Sequence, residues 1–307
     1  MVNFYKNRKF FYIFSIALLL VGLIGFLVRG VKLDITFSGG AKLTYGYTGA
    51  EINTIEVEKL VKEVLGRDST VQNAKSYEKD VEYDKSLIIS FSGTKNLTVE
   101  QQDELKNALL EAYNDRTITD GSTTNVEASI GRRFFVRGLI AIGLAAAFIV
   151  IYVTLRFSVV SGFTAALTAL IALLHDVSLI FFVFVLFGIP INDGFIAVIL
   201  TILGYSVNDT LVIFDRIREN KRAFNTKLTV EELVNKSIGQ SLTRTINTTM
   251  MSLIAIVLVF AFGAAQGLTS IVNFALPMMI GILSGCYSSS FIAPFIWCDL
   301  QKLKKKK

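Results

Sequence analysis

Four ionisable side chains interrupt otherwise apolar stretches, where a charge is expensive and by default marks a functional site. Asp209 lies in Leu203-Gly-Tyr-Ser-Val-Asn-Asp-Thr-Leu-Val-Ile-Phe-Asp-Arg216, seven residues before Arg216. At 1.5 Å per residue it sits about 10 Å inside the helix end. Arg244 lies in Ser237-Ile-Gly-Gln-Ser-Leu-Thr-Arg-Thr-Ile-Asn-Thr-Thr249, eight residues past Lys236, hence at about 12 Å, a matching depth. An arginine does not shed its proton, so burial calls for a carboxylate, and Asp209–Arg244 is the expected pair. The competing readings are an ion pair or cap near a helix end for Asp209, and a side chain snorkelling to the headgroups for Arg244. Leu174-His-Asp-Val177 places His175 and Asp176 mid-run. A lone histidine is usually structural, but His-Asp at that depth is also expected to handle protons.

The chemistry that His175 and Asp176 offer is proton handling. Protons are the only coupling ion implied, and no cofactor is. His175 is the single histidine, and both cysteines, Cys286 and Cys298, fall in the last apolar run, so no Cys/His metal set exists. Helical spacing puts Tyr205, Asp209 and Arg216 on one face. Ser237, Gln240, Ser241, Arg244, Asn247 and Thr248 form a polar stripe. Ser161, Thr164, Thr168, His175 and Ser178 share another face, with Asp176 about 100° round from His175. Asp215 and Arg216 read as interfacial anchors.

The elements that must position these groups are membrane spans. The chain is 52% hydrophobic and 18% charged, against about 25% charged in soluble domains. Apolar runs occur at Phe10–Val28, Phe134–Leu155, Val159–Phe187, Phe195–Phe214 and Ile271–Trp297, and Met250–Phe262 is the core of a further span whose start is polar. About 20 apolar residues cross a bilayer core, so the sequence predicts six transmembrane helices. The first run ends Leu27-Val28-Arg29-Gly30, without a small-residue cleavage site, and is expected to remain as an anchor.

Positive charge sets the orientation. Lys6, Arg8 and Lys9, the cluster from Arg216 to Lys227, and the tail Lys302 to Lys307 all fall on one side when both termini are cytoplasmic. Arg132, Arg133 and Arg137 fall on the other side, after a long domain, where the rule weakens. Residues 30–131 hold 17 acidic and 11 basic side chains, net −6, which leaves +12 for the remainder. That basic remainder reads as topology and contact with membrane lipids. Nothing calls for nucleic acid.

Residues 30–131 alternate strand and helix patterns. Strands are expected at Ala41–Tyr47, Val71–Tyr77, Ser86–Phe91 and Asn125–Ile130, and helices at Glu51–Leu65, with Ile52, Ile55, Leu60, Val61 and Val64 as its apolar face, and from Thr98. Thr98-Val-Glu-Gln101 carries a capping-box pattern. The order βαββαβ is that of the ferredoxin-like split unit, an α+β domain with no nucleophile–base pair or phosphate loop. Gly39-Gly40 reads as a turn. The expected division is 1–29 for a cytoplasmic N-terminus and span one, 30–131 for the extracytoplasmic domain, 132–299 for spans two to six, and 300–307 for a basic tail. In the last span, Gly281-Ile-Leu-Ser-Gly285 is a close-packing candidate, and Pro190, Pro277 and Pro294 lie in or beside spans, where they kink or end helices.

Gly204-Tyr-Ser-Val-Asn-Asp-Thr-Leu-Val-Ile-Phe-Asp-Arg-Ile-Arg-Glu-Asn220, which includes Gly204, Tyr205, Ser206, Asn208, Asp215 and Arg216, closely resembles the signature of the SecF family, the smaller subunit of bacterial SecD–SecF export complexes. Asp34-Ile-Thr-Phe-Ser-Gly-Gly40, Leu174-His-Asp-Val177, Ser241-Leu-Thr-Arg-Thr-Ile-Asn247 and Gly285-Cys-Tyr-Ser-Ser289 agree with it, so the resemblance runs from about residue 10 to 297. It implies a polytopic half-transporter of the RND type in the bacterial cytoplasmic membrane. A SecD-like subunit supplies the other half. A proton gradient drives motion that helps unfolded preprotein leave the Sec translocation channel, without enzymatic chemistry. The family's important acid falls on Asp209 and its arginine on Arg244. The family's first motif often begins Asp-Phe-Ser-Gly-Gly, whereas Ile35-Thr36-Phe37 follow Asp34 here. The rivals are an RND-type exporter of lipids or small molecules, for which a domain of about a hundred residues is small, and a non-transporting scaffold, which gains nothing from Asp209 and Arg244.

Overall fold

A computed structural model describes residues 3–75, 83–93, 97–224 and 227–306. Six helices in it are long and apolar enough to cross a membrane: Tyr5–Arg29, Ser129–Arg156, Gly162–Phe187, Asp193–Phe224, Val230–Gln266 and Thr269–Lys304. In element terms these are α1 (Arg8–Arg29) with a preceding 3-10 turn, α5 (Ala128–Arg156), α6 (Gly162–Phe187), α7 (Asp193–Phe224), α8 (Val230–Gln266), and α9 (Thr269–Tyr287) continued by a π-helical turn (Ser288–Ile292) into α10 (Ala293–Lys306). The polar start of the fifth span is part of the same unbroken helix as its apolar core. Its first turn is fixed by a capping box between Thr229 and Glu232.

The helices do not share burial equally. The apolar windows of α6, α7 and α9 are 44%, 44% and 39% buried within the chain, those of α1, α5 and α8 only 11%, 6% and 11%. The first three form the centre of the bundle, where Leu173, Ile180, Phe184, Val198, Ile202 and Ile282 pack together.

Between α1 and α5 lies an α+β unit of α2 (Ile35–Ser38), β1 (Gly40–Tyr47), α3 (Thr54–Leu65), β2 (Thr70–Lys75), β3 (Lys85–Ser92), α4 (Val99–Ala112) and β4 (Ile118–Val126). Its four-stranded sheet has the order β2-β3-β1-β4, with every neighbouring pair antiparallel. Alternation on β1 sends Ala41, Leu43, Tyr45 and Tyr47 to one face. The register sets Phe91, Ile89 and Leu87 opposite the first three. Val57 and Val61 of α3 and Leu105 and Leu109 of α4 close this core. Gly40 is required where β1 starts, because a Cβ there would lie 1.9 Å from the Phe91 carbonyl oxygen.

Several boundaries differ from the expectations. The last strand is Ile118–Val126, not Asn125–Ile130, because the chain turns into α5 at Ala128 and Ile130 belongs to its first turn. The first helix begins at Thr54 rather than Glu51, since the Asn53 side chain accepts the Ile55 N–H and caps it. Ile55 is 62% exposed, so the inner face of that helix is set by Val57 and Val61 instead. The expected strand Val71–Tyr77 is seen as Thr70–Lys75, and Tyr77 lies outside the described residues. The Thr98–Gln101 capping box is present. The sixth helix holds Pro277 within α9 and passes through the π turn just before Pro294.

The sheet unit is held to one end of the helix bundle at two further places. Asp34 N–H donates to the Ile191 carbonyl at 3.0 Å, and Ile191 N–H to that of Lys32 at 2.9 Å, on the α6–α7 link. At the α8–α9 turn, Thr269 Oγ1 donates to the Asn73 carbonyl at 2.6 Å and Lys75 Nζ to that of Ala265 at 3.1 Å. Asp34 is occupied as the cap of α2, accepting from the Thr36 N–H at 2.9 Å.

If the core of this unit is self-sufficient, residues 38–127 produced alone fold with mixed helix and strand circular dichroism. Ile89→Ala then lowers the unfolding free energy by about 2–5 kcal/mol in urea titration.

Candidate functional site

The centre of the bundle is set by two glycines of α9. A Cβ on Gly281 would lie 2.8 Å from Cγ1 of Ile202, and one on Gly285 3.1 Å from Cβ of Ser206. The absence of side chains there lets α9 lie close against α7. The wider π turn that follows presents Ser288, Ser289 and Ser290 inward, all buried.

Asp176 of α6, 0% exposed, is the focus of this contact. Ser206 of α7 and Ser288 each donate to its Oδ2 at 2.7 Å, and Ser284 of α9 donates to Oδ1 at 2.5 Å. His175 Nδ1 lies 3.2 Å from Oδ1 and donates there in the tautomer protonated at Nδ1. Each carboxylate oxygen therefore meets two donors. A second layer of hydroxyls points the same way. Thr210 Oγ1 donates to Ser289 Oγ at 2.9 Å, and Ser289 Oγ to the Ser206 carbonyl at 2.8 Å. The arrangement ties α6, α7 and α9 into one polar knot.

Asp209 is placed differently. It is 2% exposed, one helical turn from Ser206, and its Oδ2 has no hydrogen-bond partner among the described residues. Ser241 Oγ, Thr245 Oγ1 and Ser290 Oγ are also buried without partners. Unmatched buried polar atoms are costly, so these four groups contrast with the fully matched knot at Asp176.

No ion pair within 4.0 Å joins Asp209 to Arg244 among the described residues. Arg244 is exposed on α8 and lines a cavity of about 410 Å³ with Asn208, Asp215, Arg216, Glu219, Gln240 and Ser241. The expected stripe on α8 divides. Ser237 and Ser241 turn inward and continue as Thr245 and Thr249, whereas Arg244, Asn247 and Thr248 turn outward, and Gln240, though exposed, accepts from Asn220 Nδ2 of α7 at 2.8 Å. The reason is angular: the inward residues recur at i+4, and Arg244 stands three residues past Ser241.

The other residues expected at the site fall into three places. Tyr205 donates to Thr249 Oγ1 at 3.0 Å, linking α7 to α8. Gly204 and Asn208 are exposed on α7, and a Cβ at Gly204 would meet nothing within 4 Å. Asp215 pairs with Arg218 at 2.7 Å and Arg156 at 3.4 Å, and Arg216 with Glu219 at 2.9 Å, all near the end of α7. His175 Nε2 is buried without a partner among the described residues. Sequence reasoning missed Ser284, Ser288, Thr210, Thr245 and Thr249. The signal available was the density of hydroxyls, Ser284 and Ser288 to Ser290, within an apolar run.

Residues 105–303 match the family described as protein export membrane protein SecD/SecF, C-terminal. The protein translocase subunit SecF of Petrotoga mobilis is 30% identical, covering 99% of this chain and 98% of that protein. That of Alicyclobacillus acidocaldarius is 33% identical over 98% and 94% of the two. The protein translocase subunit SecDF of Bacillus subtilis is 33% identical over 99% of this chain, which spans 39% of that longer protein. The crystal structure of SecDF from Thermus thermophilus, a translocon-associated membrane protein, superposes with a TM-score of 0.79 at 25% identity, covering all of this chain and 39% of that one.

The knot makes a stability prediction. Asp176→Asn turns an acceptor into an amide whose N–H groups face hydroxyl donors. The melting temperature of the detergent-purified protein should fall more than for Ser284→Ala or Ser288→Ala, each of which removes one bond worth about 1–3 kcal/mol. Differential scanning fluorimetry of the three variants measures the order.

Proposed function

The chain belongs to the SecF branch of the SecD/SecF protein-export family, and from that premise we propose that it acts with a SecD-like subunit to couple proton entry to completion of preprotein export through the Sec channel. The observation that carries this reading is Asp209, a carboxylate buried at membrane depth with one oxygen unmatched. A group in that setting gains or loses a proton as its neighbours shift, whereas Asp176, with both oxygens doubly matched, serves as a fixed joint. Protons are the coupling ion. Each charge crossing 100 mV supplies about 2.3 kcal/mol.

Arg244, Asn247 and Thr248 on α8 and Asn208 on α7 present polar groups outward at membrane depth. In lipid they would be costly. They are the face on which the SecD-like subunit completes the pathway, and Arg244 acts there as the fixed positive charge toward which carboxylates of both halves titrate. The inserted unit is the ferredoxin-like outer domain, a reading supported by its βαββαβ order and four-stranded antiparallel sheet. Both chain ends lie in the cytoplasm of a bacterium and the outer domain outside it, supported by the lysine and arginine distribution. The divisions are 1–29, 30–131, 132–299 and 300–307. The lipid or small-molecule exporter is less favoured, because the outer unit packs its one core solidly from both helices and the sheet.

Asp209→Asn should insert normally, co-purify with the SecD-like subunit, and lose proton-gradient-dependent export in vesicles holding both proteins and the channel. Normal export by this variant would remove Asp209 from the coupling.

Arg244→Lys separates a fixed charge from an anchor. Lysine keeps the charge at low pH but sheds its proton when desolvated, which arginine does not. The export stimulated by this variant should fall progressively below wild type as pH rises. Equal activity across a pH series would make Arg244 a headgroup anchor.

A further inference from the structure

Three arginines, Arg132, Arg133 and Arg137, lie in the first ten residues of α5, all exposed. None makes an ion pair or side-chain hydrogen bond among the described residues. The first turn of α5 holds no acidic residue, and Glu127 provides no side-chain cap. Positive side chains at a helix N-terminus oppose the helix dipole. Three guanidinium groups thus stand along one side of the start of α5, and the N-cap acid, Glu127, makes no ion pair with them among the described residues.

Below them runs a lipid-sized apolar track. At about 100° per residue, Val136, Ile140, Leu144 and Phe148 fall on the same side of α5 as the arginines. They are 44%, 54%, 55% and 69% exposed. The opposite side, with Phe135, Ile142 and Ile149, packs into the bundle. The exposed track consists of large apolar side chains, unlike the close contacts at Gly281 and Gly285, where small residues join helices. The polar outward groups that suit a protein partner stand elsewhere, on α7 and α8.

We propose that this face of α5 binds one anionic phospholipid, its phosphate held by Arg132, Arg133 and Arg137 and its acyl chains laid along Val136, Ile140, Leu144 and Phe148. Only the assignment of this site to the outer leaflet rests on the orientation proposed above. The bound headgroup neutralises the start of α5, the helix that receives β4 directly, and so fixes the membrane depth of the exit from the sheet unit.

The test places a reporter on the track. Ile140→Trp is made in the full chain, in which the one native tryptophan, Trp297, is 2% exposed and gives a constant background. Quenching is measured in vesicles with brominated phosphatidylglycerol or brominated phosphatidylcholine. The same series is repeated with a tryptophan-free SecD-like partner present. The expected result is a preference of about three- to tenfold for the anionic lipid. Changing all three arginines to glutamine should reduce it to parity, and changing them to lysine should retain most of it. Equal quenching by both lipids in the wild-type background, or a preference that survives the glutamine changes, overturns the proposal. Loss of all quenching when the partner is added assigns the face to protein instead. Competition by inorganic phosphate assigns the arginines to a free anion.

Discussion

A carboxylate held in an apolar bundle must find donors on neighbouring helices, and Asp176 finds them on two. Ser206 comes from α7, Ser284 from α9 and Ser288 from the π turn beyond it, and all three hydroxyls converge within 2.7 Å. The convergence requires α9 to lie close to α7, which Gly281 and Gly285 allow. It also requires an extra residue in the turn after Tyr287, which the π geometry provides. The glycines, the π turn and the serines are thus consequences of one electrostatic requirement.

That knot gives Asp209 its meaning. The two acids lie on adjacent central helices, both buried, and one is matched by donors while the other is not. A completed network has a single arrangement and resists change. An incomplete one is sensitive to a proton, a water or a partner's side chain. The matched carboxylate and the one with an unmatched oxygen are therefore separate residues on adjacent central helices. Tyr205 to Thr249 and Asn220 to Ser237 and Gln240 mark where those two helices are already linked.

The sheet unit is tied to the bundle through the ends of the same helices. Its β2 edge meets the α8–α9 turn, and residues 32–34 pair with Ile191 on the α6–α7 link. Edge strands need their backbone groups covered. Here the Val71 N–H is covered by Glu58 at 3.3 Å and the Asn73 carbonyl by Thr269 at 2.6 Å. α8 carries Arg244 in its first half and ends at Gln266 beside this contact, so one continuous helix joins the outward arginine to the edge of the sheet.

Much of the architecture was legible in order of residues alone. Six apolar runs dictate six helical spans because a run of about 20 residues in hydrocarbon satisfies its backbone groups internally as a helix, and the Thr98 capping box and the alternation of β1 dictate local structure through neighbours a few residues apart. The depth of Asp209 and Arg244 followed from rise per residue. Whether they form a direct ion pair did not follow, because equal depth leaves the angle about each helix axis and the packing between helices undefined. Only the tertiary structure decided that Arg244 turns outward while Ser241 and Thr245 turn inward. It also decided that Ser284 and Ser288, more than a hundred residues from Asp176, complete its shell. The last strand was misplaced for a related reason: Ile130 fits a strand or a helix equally in isolation, and pairing of Thr123 and Asn125 with β1 settled where the sheet stops.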